Sequence, residues 1–232
     1  MKKTLEAKLT ITCTKFLEFI CEADWSKKFA VVEKALDQPS TYDPRTDFYK
    51  QLREVFTRMH TGQVSPGNLD DAIKNVSNPI KRANYTPVIA GFRQAWARNF
   101  GGQDVKILPQ RTLRWEYAGL KVSVSAQLGF VSEWHNCLVR LWCNKNALGA
   151  DQSDLIANMM QRAFLQSDHG ANESFDFGVM DVRRANLSVA TSFDSLAELR
   201  LQSAAVEFMH IAKALHERAD ELQESGAFDV IE

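Results

Sequence analysis

Residues 120–126 are Leu-Lys-Val-Ser-Val-Ser-Ala, a strict alternation of apolar and polar side chains. Because successive side chains of a β-strand point to opposite faces of a sheet, this alternation predicts a strand with one buried and one polar face. Residues 137–143 are apolar at every position except Arg140, a pattern typical of a strand at the centre of a sheet. These two segments place a sheet-forming region after residue 112.

The chain beyond these strands alternates between helical and extended patterns. Apolar residues at helical spacing predict a helix that is capped by Asp151 or Ser153 and runs to Phe164, and further strands are predicted at 175–183 and 187–191. The final helix is the longest. One apolar residue recurs in it every seven positions: Leu201, Phe208, Leu215 and Leu222.

The first hundred residues have a helical period instead. An amphipathic helix is predicted over 5–36, and we favour it over the alternative, a short strand at 9–14 where Thr and Ile alternate. A second helix is predicted over 48–59. Thr86-Pro87 is typical of a helix N-terminus and predicts a third helix that ends at Gly101-Gly102.

The sequence therefore predicts an α+β protein. Residues 1–102 form an N-terminal helical bundle, and residues 112–232 form a mixed sheet of four or five strands with covering helices and the long C-terminal helix. Residues 103–112, which include Pro109, are predicted to be a loop between the two regions. The regions are either separate domains or one compact unit.

The predicted order of elements in the second region is similar to the restriction-endonuclease-like core. That family's motif needs an aspartate on one strand, and Glu or Gln, any residue, then Lys on the next. Here the strand at 120–126 runs into Gln127, and the facing pair on the next strand is Arg140 and Trp142, so the motif is absent. The resemblance implies a related fold without nuclease chemistry.

Composition is that of an ordinary folded protein. Of 232 residues, 45% are hydrophobic and 25% are charged, and no run approaches the eighteen apolar residues that a membrane span needs. The N-terminus lacks the apolar core of a signal peptide, and the four cysteines include no C-x-x-C pair. We therefore expect a soluble cytoplasmic protein with no membrane partner.

Charge is distributed unevenly along the chain. Residues 74–115 hold eight basic residues against one acid, a net of +7, whereas residues 194–232 hold nine acids against three basic residues, a net of −6. Such a segment raises the expectation of nucleic acid or another polyanion as a partner. The candidate polyanion-binding residues are Lys81, Arg82, Arg93, Arg98, Lys106, Arg111 and Arg114.

Few residues are arranged for catalysis. The chain has no Gly-rich phosphate loop, nucleophile elbow or H-E-x-x-H motif, and His135 with Cys137 is too small a set for zinc. We expect no metal, no cofactor and no catalytic residue set. Asp181 and Arg183 are two apart on a predicted strand and would share a face, and Arg140 with Asp181 is a candidate buried ion pair.

Three hypotheses for function remain. The first is a non-catalytic interaction or accessory protein, and the second is a nucleic-acid-binding protein that uses residues 74–115. The third is an enzyme whose site is assembled from dispersed residues. We also predict a homodimer through the heptad row of the C-terminal helix, with intramolecular packing of that helix as the alternative.

Overall fold

The structure is a computed structural model that describes residues 9–37, 49–74, 76–133, 136–167, 174–190 and 194–224. The α+β class is confirmed. The described residues form two compact units, each built from separate stretches of chain. The first unit takes residues from 1–41, 115–123 and 195–232, and the second from 42–114 and 124–194. Each unit therefore draws on both of the predicted regions, 1–102 and 112–232.

Seven α-helices and eight strands are described, together with short 3-10 turns. The helices are α1 (Cys13–Cys21), α2 (Trp25–Leu36), α3 (Lys50–Thr57), α4 (Leu69–Lys74), α5 (Pro79–Phe100), α6 (Ala150–Leu165) and α7 (Ser195–Glu224). The strands are β1 (Leu9–Thr12), β2 (Lys106–Leu108), β3 (Arg114–Tyr117), β4 (Leu120–Ser123), β5 (Leu128–Val131), β6 (Asn136–Trp142), β7 (Asp176–Asp181) and β8 (Asn186–Ala190).

The first unit contains a three-stranded sheet in the order β1-β4-β3. β3 and β4 form a hairpin, and the two residues that connect them, Ala118 and Gly119, have φ values of 50° and 87°. Positive φ at both positions is the conformation of a two-residue turn that matches the twist of the strands. β1 pairs with β4 in parallel, with Leu9 opposite Leu120.

The prediction of helix at residues 9–12 is wrong, since these residues are β1. The alternation of Thr and Ile suits a strand, and pairing with β4, more than a hundred residues away in sequence, selects it over the local helical pattern. The helix begins directly afterwards. Thr12 caps α1 by accepting a hydrogen bond on Oγ1 from the Lys15 amide at 3.3 Å.

Helices α1, α2 and α7 complete the first unit around aromatic side chains. The Phe16 ring lies 5.7 Å from the Trp115 ring, and the Phe19 ring lies 5.0 Å from the Phe208 ring. Phe16, Phe19 and Phe208 are fully buried. The core of this unit therefore joins a helix from the start of the chain, a strand from its middle and the inner face of α7.

The second unit contains a five-stranded mixed sheet in the order β2-β5-β6-β7-β8. β6 and β7 are parallel and are connected through α6, whereas the other neighbours are antiparallel. The predicted loop at 103–112 contains β2, which pairs with β5, so that expectation is wrong. β4 and β6 lie in different sheets, and the successive strands on which the restriction-endonuclease resemblance was based are not neighbours.

Helix α5 begins earlier than Thr86-Pro87. Its N-cap is Asn78, which accepts hydrogen bonds on Oδ1 from the amides of Ile80 at 2.9 Å and Lys81 at 3.1 Å, with Pro79 in the first turn. The helix therefore starts at Asn78-Pro79 and not at the predicted Thr86-Pro87. Pro87 lies inside the helix.

Close packing of α5 fixes the end of β7. The Gly91 backbone lies against the 3-10 turn of residues 182–184, where a Cβ added at Gly91 would be 1.7 Å from the Val182 carbonyl oxygen. Only glycine permits this approach. α3 and α5 pack on β6 and β7 through Phe56, Phe92 and Val139, among other side chains of one buried cluster.

Candidate functional site

The inner face of α7 carries the predicted heptad row. Leu201 and Phe208 are fully buried within the first unit, and Leu215 is half-buried. Leu222 lies beyond the side chains that the structure describes. Leu201 and Phe208 are covered by the chain's own core and pack within it, as in the intramolecular alternative, so these two residues are not exposed for a dimer seam.

The opposite face of α7 exposes large apolar side chains. Leu196 is 71% exposed, Leu199 59% and Val206 53%, and the exposed Ser203 lies between them. Positions 196, 199, 203 and 206 follow one another at intervals of three, four and three, which places them on one face of a helix. We call these four residues the outer stripe. An exposed apolar cluster of this kind marks an interaction surface more often than isolated surface leucines do.

Polar residues border the outer stripe. Arg200 and Glu207 lie seven residues apart on one flank, and both Glu207 carboxylate oxygens accept hydrogen bonds from Lys28 Nζ at 2.8 Å. Leu196 and Leu199 line an open depression of about 440 Å³ with Ser195, Glu198 and Gln202. An apolar row with charged borders is typical of a surface that docks against a second helix.

The arginines of the basic segment bind the chain's own backbone. Arg82 Nη2 donates to the Val76 carbonyl at 2.7 Å, and Arg98 Nη1 donates to the Ala185 carbonyl at 3.1 Å. Arg93 Nε donates to the Pro66 carbonyl at 3.0 Å, and its guanidinium also forms an ion pair with Asp70. Each of these three side chains therefore holds a loop or a turn in place.

The other basic candidates lie on different elements. The Arg111 guanidinium lies over the rings of Phe164 and Phe175, at 5.7 and 5.2 Å from their centroids. Lys106 and Arg114 are exposed, on β2 and β3. Along α5, at 100° per residue, Lys81, Arg93 and Arg98 point in directions roughly 100° or more apart, and Arg82 points in nearly the same direction as Arg93. The segment is thus basic in sequence without forming one continuous stripe along this helix.

Arg140 and Asp181 have separate partners. The parallel register places Arg140 opposite Val179 and Asp181 opposite Trp142. Asp181 is buried, and it accepts a hydrogen bond from Arg184 Nη1 at 3.0 Å and from the Leu148 amide at 3.2 Å. Arg140 Nη1 donates to the Ser125 carbonyl at 3.2 Å. The ion pair of Asp181 is with Arg184, three residues further along the chain.

Arg183 has more contacts than its sequence position suggested. β7 ends at Asp181 and residues 182–184 turn, so Arg183 does not share a strand face with Asp181 as predicted. Its Nε donates to the Cys143 carbonyl at 2.9 Å, and its Nη2 donates to the Tyr49 hydroxyl at 3.0 Å and the Asn84 carbonyl at 3.1 Å. Two of the three acceptors are backbone carbonyls, which leave no signal in a sequence.

The cysteines are all thiols. Burial raises the pKa of Cys137 and of Cys143 to about 12, so both stay protonated at neutral pH and neither is an activated nucleophile. Across the described ranges, no three His, Cys, Asp or Glu side chains are grouped closely enough to hold a metal ion. His135 lies outside those ranges.

No protein-family model matches the chain, and a search of curated proteins finds no match either. In the part of the chain that the structure describes, no helix combines the length and the apolar character needed to cross a bilayer. Function must therefore be inferred from the chain's own surfaces.

Proposed function

We propose that the protein is a non-catalytic interaction protein and that it acts through the outer stripe of α7. The observation that carries this proposal is the exposure of Leu196, Leu199 and Val206 on the face opposite the buried one. A helix that only covers a core needs one apolar face, and a second apolar face gains free energy only when a partner removes it from water.

A second copy of the chain is the partner that fits the stripe best. In an antiparallel pair of α7 helices about a twofold axis near Ser203, Leu199 of one copy lies beside Val206 of the other. The small side chain of Ser203 lets the helices approach closely. The same axis brings Arg200 of each copy towards the other copy's Glu207, which fixes orientation more than it adds affinity.

The size of the stripe implies weak association. Stable interfaces bury about 1,200 Å² or more in total, and a stripe of four residues on each copy supplies less than that by itself. We therefore expect a dimer whose population rises with concentration. The proposal includes a cytoplasmic location, which is supported by four cysteines that remain thiols.

Nucleic-acid binding by residues 74–115 is a second proposal. A hydrogen bond to a carbonyl does not neutralise a guanidinium charge, and Arg82, Arg98, Lys106 and Arg114 are exposed. A gel shift that weakens steeply with salt would support it, and loss of the shift in Arg98→Gln would place it on α5. No observation on the described residues favours the third hypothesis, an enzyme with a dispersed site.

Sedimentation velocity over a series of protein concentrations tests the main proposal. The parent chain should show a sedimentation coefficient that rises with concentration, and Leu199→Glu should remain monomeric throughout. Leu165→Glu is the matched control, because Leu165 is 57% exposed on α6 of the other unit. A parent chain that stays monomeric at every concentration, or a Leu165→Glu variant that dissociates equally, would reject self-association through this face.

A further inference from the structure

A polar groove lies at one edge of the five-stranded sheet. β6 and β7 are parallel and end at Trp142 and Asp181, so the loops that follow them meet at the same edge, where α/β proteins commonly bind ligands. The groove has a volume of about 480 Å³. Its lining residues are Tyr49, Ile80, Asn84, Asn144, Lys145 and Asn146.

The loop that carries Asn144, Lys145 and Asn146 is held through its backbone. The carbonyl of Lys145 accepts a hydrogen bond from Arg184 Nη2 at 2.9 Å, and the carbonyl of Asn146 accepts one from Trp142 Nε1 at 3.1 Å. The two ends of the loop are held by hydrogen bonds from Arg183 to the Cys143 carbonyl and from the Leu148 amide to Asp181. A loop fixed in this way presents its side chains at little entropic cost on binding.

The Tyr49 hydroxyl is oriented by Arg183. Its oxygen accepts a hydrogen bond from Arg183 Nη2 at 3.0 Å, which fixes the ring at the wall of the groove. The same guanidinium binds the Asn84 carbonyl, which joins α5 to this arrangement. Ile80, which is 67% exposed, adds an apolar wall.

The described lining of the groove carries a positive charge. Lys145 is part of it, and no described lining residue is an acid. Arg183 lies directly behind Tyr49, and Asp181 of the same network is paired with Arg184. An ammonium group and three carboxamides favour a ligand with an anionic group and further polar substituents.

We propose that this groove binds a small organic anion, with its phosphate or carboxylate group against Lys145 and its hydroxyl groups against the asparagine amides. The volume lies within the range of about 300–1,000 Å³ that is usual for small-molecule sites, and it exceeds the needs of inorganic phosphate. The site is independent of the outer stripe.

Titration followed by ¹⁵N-resolved NMR, with three probes that share one carbon skeleton, tests the site. Glycerol 3-phosphate supplies a phosphate, glycerate a carboxylate and glycerol neither. At least one of the two anions should shift the side-chain amide signals of Asn144 and Asn146 in a saturable way, and glycerol should not. If glycerol shifts them equally, or neither anion does at millimolar concentration, the proposal fails.

One variant and one control locate the anion. Lys145→Met should weaken the effective anion by about tenfold or more. Lys106→Met removes an exposed lysine of the same unit that does not line the groove, and should leave binding unchanged. Circular dichroism confirms that each variant is folded. If Lys145→Met does not fold, Lys145→Gln takes its place. Unchanged binding in the Lys145 variant, or equal loss in Lys106→Met, overturns the assignment.

Discussion

The outer stripe of α7 in the first unit and the groove in the second unit differ in polarity and in how their side chains are held. The stripe is apolar apart from Ser203, and its large side chains are more than half exposed. The groove is polar, and its loop is fixed by hydrogen bonds from Arg183, Arg184 and Trp142. Apolar area suits a macromolecular partner, whereas fixed polar groups suit a small ligand. The two surfaces therefore differ in the kind of partner that each would suit.

Support for the groove depends on the contact between α5 and the turn at residues 182–184. Gly91→Ala should cost at least about 3 kcal/mol of unfolding free energy, because its Cβ meets the Val182 carbonyl oxygen and backbone cannot move aside cheaply. Urea denaturation measures this loss of unfolding free energy. Gly67→Ala is the control, since its Cβ would meet only Ser65 Oγ at 3.7 Å, and it should change stability by less than about 0.5 kcal/mol. Equal stability of the two variants would mean that the helix does not lie against this turn.

Loss of the Arg183 side chain should destabilise the groove more than loss of an exposed arginine of the same unit. Arg183→Ala removes hydrogen bonds to Cys143, Tyr49 and Asn84, and we expect a loss of about 2–3 kcal/mol together with faster hydrogen exchange in residues 143–148. Arg58→Ala, at an exposed position, is the matched control. Unchanged exchange in the loop would show that the groove is not held by this side chain and would weaken the comparison with the stripe.

The two units also differ in their cysteines. Burial raises the pKa of Cys143 from 9.0 to about 12, so its contribution to stability is complete below pH 9 and is lost as the pH rises towards 12. At pH 10 the loss is on the order of 1 kcal/mol. Cys143→Ala should therefore lose less stability than the parent between pH 8 and 10, whereas Cys21→Ala, at an exposed site, should follow the parent. Parallel curves for Cys143→Ala and the parent would show that this thiol is accessible to water.

The sequence predicted elements with strong local patterns and missed those that depend on distant partners. Residues 137–143 and the helix that ends near Phe164 correspond closely to β6 and α6. β1 was missed because four residues become a strand only by pairing with β4. The two sheets were predicted as one, since alternation within a strand does not identify its neighbours.

The surfaces were harder to predict than the fold. The recurrence of Leu201, Phe208, Leu215 and Leu222 every seven residues predicts a dimer seam, but a second apolar row with heptad spacing lies on the opposite face of α7. Which row is buried depends on Phe16 and Phe19, far away in sequence. The groove left no motif because Arg183 and Arg184 act on backbone carbonyls, which every residue has.

Cysteine cross-linking at the centre of the outer stripe tests the central claim most directly. In a chain with Cys21→Ser, which removes the exposed thiol, Ser203→Cys places a thiol where the proposed twofold axis brings two copies together. Under mild oxidation this variant should form a disulfide-linked dimer much faster than Asp154→Cys, an exposed position on α6 in the same background, and adding Leu199→Glu should abolish the advantage. Cross-linking of Ser203→Cys at the rate of Asp154→Cys, or unaffected by Leu199→Glu, would contradict docking of two copies through this face.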